Sequence, residues 1–275
     1  LAHGMLLPSG NDSANAAGVR ISGSTEAFVE RMNERAAEIG MENTHFVTPS
    51  GLDADGHYST AYDMALLTAH AMENPEFARI AGLQEAKLEF GNPPYTRWLK
   101  NTNKLIARYP GCIGVKTGFT DNAKRCLVSA AQRDGVTLIC VTLNCADDWN
   151  IHSRLYDRYF AQLKAEKLGD MTQGLSVPIT GGTGQRVAVK PAQQPELALL
   201  PGEKERLISQ VSLKPFEFAP VIKGQYMGEL LLTMDGETVF STPLVAAEEM
   251  IATTQPKEER GWLGNLWEKI KEVNK

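Results

Sequence analysis

The stretch Gly111-Cys-Ile-Gly-Val-Lys-Thr-Gly-Phe-Thr-Asp121, with the runs Cys126 to Ala131 and Val136 to Asn144 that follow it, decides the fold class. Ile113 to Lys116 and these two runs are rich in β-branched and small apolar residues, which suit a pleated, covered surface. Arg133-Asp-Gly-Val joins the last two. Asp-Gly is a favoured centre for a tight hairpin because both residues tolerate positive φ. The pattern predicts an antiparallel sheet. With that turn Cys126 falls opposite about Leu143, so Cys126 and Cys140 are poorly placed to bridge. Cys112, Cys126, Cys140 and Cys145 contain no Cys-x-x-Cys pair and read as packed thiols.

Working outward, helices flank this sheet. Ser24 can cap a helix whose stripe Phe28, Val29, Met32, Ala36, Ile39 has helical spacing, with Gly40 where a C-terminal cap belongs. Thr48-Pro-Ser-Gly51 reads as a turn, and Thr60-x-x-Asp63 starts a helix carrying Met64, Leu67 and Ala71 toward Asn74-Pro75. Another helix is expected over Trp149 to Lys164, with Ile151, Leu155, Tyr159 and Leu163 on one side. Helices with a local antiparallel sheet give an α+β fold for residues 1–167. Over 168–250, short runs between Gly and Pro punctuation (Leu175 to Ile179, Arg186 to Val189, Arg206 to Leu213, Met227 to Met234, Glu237 to Phe240) predict a small all-β domain.

Residues 251–275 read as a polar linker containing Pro256 and then an amphipathic helix. Trp262, Leu263, Leu266, Trp267, Ile270 and Val273 fall within an arc of roughly 140°, opposite Glu268, Lys269, Lys271 and Glu272. At about 22 Å such a helix is too short to cross a bilayer but suits its interface. The expectation is a membrane-surface helix, the alternative being one that docks on protein.

The chain has 275 residues, 43% of them hydrophobic, and 28 Lys plus Arg against 33 Asp plus Glu. The apolar share supports a real core of about two domains. A formal net charge of -5 supplies no broad basic field for nucleic acid. His3, His45, His57, His70 and His152 share no metal-ligand spacing, so neither a metal nor another cofactor is expected.

Two short motifs carry chemistry. Ser9-Gly-Asn11 precedes a helix and by itself reads as a cap and turn; Lys116-Thr-Gly118 ends a strand, where glycine leaves room for another backbone. Together, 107 positions apart and in this order, they resemble the second and third motifs of the low-molecular-mass penicillin-binding proteins, the serine D-alanyl-D-alanine carboxypeptidases of peptidase family S11. The β domain and terminal amphipathic helix resemble that family's C-terminal half. The resemblance implies a penicillin-binding/β-lactamase-like catalytic domain and acyl transfer on peptidoglycan stem peptides ending in D-Ala-D-Ala, with β-lactam antibiotics as inhibitors. It implies proton relay by Ser9, holding of the substrate amide or steering of the first motif's lysine by Asn11, electrostatic stabilisation by Lys116, and carboxylate binding by Thr117. It further implies backbone clearance at Gly118 and an oxyanion-hole N–H at Phe119. His57 resembles the family's His-x-Ser/Thr segment, with a structural role favoured, and Arg154 is the candidate for an additional carboxylate-binding arginine.

The family's first motif, Ser-x-x-Lys, is absent, because no Ser has a Lys three positions on. The expectation is that it lies upstream of Leu1, together with a signal peptide. The parent enzyme would then be extracytoplasmic and peripheral on the outer face of the bacterial cytoplasmic membrane, and this chain inactive alone. Two other functions are kept open: a non-catalytic module binding cell-wall peptide or protein, and a β-lactamase, against which the appended domain and tail argue.

Overall fold

The computed structural model describes residues 1–169 and 171–253. The chain divides into two compact units, Leu1–Ala165 and a second beginning at Glu166. The terminal helix expected over Trp262 to Lys275 lies outside the described residues.

The first unit runs α1 (Ala2–Leu6), α2 (Asn11–Ser22), α3 (Thr25–Glu38), α4 (Ala61–Met72), α5 (Pro75–Ala81), β1 (Glu85–Phe90), β2 (Tyr95–Lys100), α6 (Leu105–Arg108), β3 (Cys112–Thr120), β4 (Lys124–Arg133), β5 (Val136–Thr142) and α7 (Asp148–Phe160). Its caps follow the sequence. Ser24 Oγ accepts from Ala27 N at 3.1 Å and Thr60 Oγ1 from Asp63 N at 3.1 Å. Asn74 caps the extra helix α5, its side chain accepting from Glu76 N and Phe77 N. Gly40 leaves α3 with φ of 83°, a conformation glycine adopts without a Cβ penalty.

β3, β4 and β5 form an antiparallel sheet in that order. Leu127 faces Thr142 across the β4–β5 ladder, so the turn at Asp134-Gly135 sets the expected register, and all four cysteines are free. Alternation along β4 explains why the sheet is covered twice. Leu127 and Ala131 pack with Leu105, Tyr109 and Tyr156, the last from α7, whereas Val128 and Ala130 pack with Ala81 of α5 and Met64 of α4. Five consecutive residues of β4, Leu127 to Ala131, are therefore buried.

Ser129 points to the α7 side and anchors a buried polar chain. Its Oγ lies 2.7 Å from His152 Nδ1 and 2.6 Å from Tyr156 OH, and His152 Nε2 lies 3.0 Å from Thr142 Oγ1. Burial pushes the His152 pKa down to about 4, partly opposed by Asp148, and raises that of the Tyr156 hydroxyl.

Two further features differ from the sequence reading. Helix α7 stops at Phe160 rather than Lys164, because the chain becomes extended as β6 (Lys164–Lys167) begins. The β1–β2 hairpin was not anticipated. Its strands are mostly exposed and mix charged with aromatic residues, and the Asn92-Pro93-Pro94 turn breaks the pattern.

The second unit adds β7 (Ser176–Thr180), β8 (Arg186–Pro191), β9 (Glu196–Leu199), β10 (Leu207–Leu213), β11 (Glu217–Phe218), β12 (Tyr226–Met234) and β13 (Glu237–Ala246). Six strands make one sheet in the order β10-β12-β13-β8-β7-β11, antiparallel except where β11 meets β7. Its core gathers Val177, Val187, Met227, Leu230, Leu232 and Leu244. Among the described residues, no helix is long and apolar enough to cross a membrane.

Candidate active site

The two motifs meet through a single side-chain contact. Lys116 Nζ donates to Ser9 Oγ at 2.6 Å and to the Thr117 carbonyl at 2.7 Å. β3 delivers Lys116 from the sheet, and the turn between α1 and α2 delivers Ser9. Ser9 has φ of 61°, a left-handed conformation that costs a non-glycine residue free energy and is held by its surroundings. The Gly10 N–H donates to the Gly4 carbonyl at 2.9 Å and fixes that turn. Lys116 is half-buried, and desolvation pulls its pKa from 10.5 down to about 8.

A cleft of about 460 Å³ opens here, lined by Ser9, Thr117, Gly118 and Phe119 and by residues the motifs did not reveal, among them Thr102, Arg125, Asp148 and Trp149. Asn11 is the first residue of α2, exposed, and outside this lining. Thr117 Oγ1 lies 2.6 Å from Thr102 Oγ1, and Thr102 N donates to the Leu7 carbonyl, tying the cleft wall to the buried Leu7. A Cβ on Gly118 would sit 3.6 Å from the Cys126 Cβ, an ordinary contact. Internal packing therefore does not demand glycine at 118; the open backbone it leaves faces the cleft. Phe119 is 66% exposed beside it.

The cleft's guanidinium comes from β4. Arg125 pairs across the ladder with Phe119, and its Nη2 donates to both carboxylate oxygens of the buried Asp148 at 2.6 and 2.9 Å. Its Cζ stands 5.5 Å from the Trp149 ring centroid, and its buried Nε lacks a hydrogen-bond partner. Arg154, the sequence candidate, is 69% exposed, pairs with Asp147 at 3.6 Å, and is not part of the lining. Sequence patterning missed Arg125 because it reads as one more charged strand-end residue. Asp148 could have been suspected from an acidic residue opening a helix, but its partner lies 23 residues away. His57 Nδ1 accepts from Val47 N at 3.1 Å, and burial, then His45, lowers its pKa.

A family model described as D-alanyl-D-alanine carboxypeptidase, Peptidase S11, matches residues 1–147. The chain is similar to D-alanyl-D-alanine carboxypeptidase DacF of Bacillus subtilis, 34% identical over 252 residues covering 90% of this chain and 64% of that protein. It is similar also to D-alanyl-D-alanine carboxypeptidase DacA of Escherichia coli, 30% identical over 258 residues covering 91% and 62%. It thus spans a little under two thirds of the length of these relatives. Penicillin binding protein 5 from Haemophilus influenzae matches it in structure with a TM-score of 0.65 at 26% identity, over 90% of this chain and 73% of that one. The α+β fold is accordingly that of the penicillin-binding proteins. With the family model covering more than half of its residues, the chain belongs to the peptidase S11 family of D-alanyl-D-alanine carboxypeptidases.

Proposed function

We propose that this cleft serves a serine D-Ala-D-Ala carboxypeptidase reaction: removal of the terminal D-alanine from peptidoglycan stem peptides through an acyl-enzyme, with β-lactams as mimics that acylate the same centre. The observation that carries the reading is the 2.6 Å contact between Lys116 Nζ and Ser9 Oγ, which joins motifs 107 residues apart. In this reaction a nucleophilic serine attacks the carbonyl between the two D-alanines, and the departing amine needs a proton. Ser9 both accepts from Lys116 and can donate to that amine. A lysine with a pKa of about 8 holds roughly a tenth of its population neutral at pH 7, so it can return as well as supply the proton.

The terminal carboxylate would be received by Thr117, preset by Thr102, and by the exposed part of the Arg125 guanidinium, with Asp148 and Trp149 fixing its plane. The substrate backbone would lie along β3 over Gly118, with the Phe119 N–H as an oxyanion donor and Asn11 steering the substrate amide. The nucleophile would belong to a Ser-x-x-Lys element, which these residues do not contain, so the chain alone is inactive toward stem peptides. The first unit is read as the catalytic part and the second as an accessory β domain. Action on peptidoglycan puts the protein outside the cytoplasm, and the amphipathic terminal sequence would hold it at the membrane surface.

The test is labelling by a fluorescent penicillin of the chain expressed with whatever coding sequence precedes Leu1. Labelling that Lys116→Ala reduces at least ~100-fold is expected. A folded product that never labels would sink the proposal.

A further inference from the structure

We propose that Ser9 and Lys116 constitute a nucleophilic pair in their own right, with Ser9 Oγ attacking activated acyl donors and Lys116 Nζ accepting its proton. Two features support it beyond proximity. First, the Thr117 carbonyl takes one Lys116 N–H at 2.7 Å. A neutral amine anchored there turns its lone pair to the other contact, the Ser9 hydroxyl at 2.6 Å. That is the geometry a general base needs, and serine–lysine pairs are an established alternative to serine–histidine ones. Second, Ser9 is exposed and held at φ of 61° immediately before Gly10, the N-cap of the 12-residue helix α2. A serine in a tight, strained turn ahead of a helix projects its oxygen away from its own backbone. Burial supplies the last requirement, since it lowers the Lys116 pKa to about 8 and makes the free base available near neutral pH.

The step balances without a cofactor. The Ser9 O–H bond breaks and its proton passes to Lys116 Nζ; a bond forms between Oγ and the acyl carbon. The bond from that carbon to the leaving oxygen breaks, and a phenolate-type group departs as the anion. Lys116 then releases its proton to solvent, and water hydrolyses the ester. Poor leaving groups such as peptide amines would not be displaced this way, so the activity is an esterase activity distinct from the carboxypeptidase reading.

The probe is a fluorophosphonate, with which Oγ–P bond formation displaces fluoride irreversibly while the proton stays on Lys116. The intact chain should carry the adduct on Ser9, located by peptide mass. Denaturation beforehand should prevent labelling, and Lys116→Met should slow it at least ~100-fold. In a Lys116→Ala chain, added ethylamine should restore part of the rate, which a merely structural lysine would not allow. An adduct on another residue, or equal Ser9 labelling in the denatured chain, overturns the proposal, whether or not the variants fold. Because the assay requires neither a stem peptide nor a Ser-x-x-Lys element, its failure leaves the carboxypeptidase reading standing. Failure of penicillin labelling in a longer chain likewise leaves this pair untouched.

Discussion

Replacing Lys116 by Met should make the folded chain more stable at neutral pH, although it destroys the site. In the fold the ammonium has a pKa of about 8 against 10.5 in the open chain, and burial is the cause. At 1.36 kcal/mol per tenfold change, that difference corresponds to about 3 kcal/mol, of which about 2 kcal/mol remains after allowing for water in an open cleft. The sign follows from the lowered folded pKa. Above pH 10.5 the amine is neutral in both states and imposes no penalty. As pH falls toward 8 the unfolded chain binds the proton first, so stability is lost through this window and then levels off. Met removes that penalty but also forfeits the bonds to Ser9 Oγ and the Thr117 carbonyl, worth about 1 kcal/mol net. Urea denaturation should therefore find Lys116→Met more stable by about 1 kcal/mol at pH 7 and less stable by a similar amount at pH 10.5. A stability difference that stays constant across this range would mean that the amine is not desolvated, and the account of how Lys116 works would fall with it.

Other outcomes are specific to single elements. The neutral, fully buried His152 should make stability decline as pH drops from 6.5 through 4, by up to about 3 kcal/mol, and His152→Gln should start lower but lose that acid dependence in pH-resolved denaturation. Ser24→Ala removes the acceptor for Ala27 N and should cost about 1 kcal/mol by thermal unfolding. Gly228→Ala would drive a Cβ into the Ser212 carbonyl oxygen, a backbone atom that cannot swing aside. Hydrogen exchange should then show lost protection along β10 and β12, and unchanged protection would contradict the β10–β12 register.

Local patterning determined most of the first unit. The Ser24 and Thr60 caps, the Asp134-Gly135 turn and the two-residue alternation of β4 each act within a few residues, so the helices and the antiparallel sheet were legible before any coordinates. The exposed β1–β2 hairpin was not, because neither of its faces is buried enough to impose a period on the sequence. The strands of the second unit were visible, but their order was not: β11 joins β7 in parallel and β10 stands at the far edge, and pairings between distant strands leave no local signature.

The candidate site divides the same way. Ser9, Lys116, Thr117, Gly118 and Phe119 came from motif spacing and the resemblance it carried; Ser9, Thr117, Gly118 and Phe119 line one cleft, and Lys116 reaches it through its bond to Ser9. Asn11 is in the same motif but stands outside the cleft lining, because the helix that begins there directs it by its own geometry. Thr102, Arg125 and Asp148 needed the tertiary structure. A threonine preset by another threonine 15 residues on, and a guanidinium held by a carboxylate 23 residues on, are defined by three-dimensional convergence. The sequence alone specified which chemical groups were available and which short segments would hold them; burial and the approach of separate elements decided which groups touch and how far the Lys116 amine is shifted, since desolvation depends on the surroundings rather than on the neighbours in the chain.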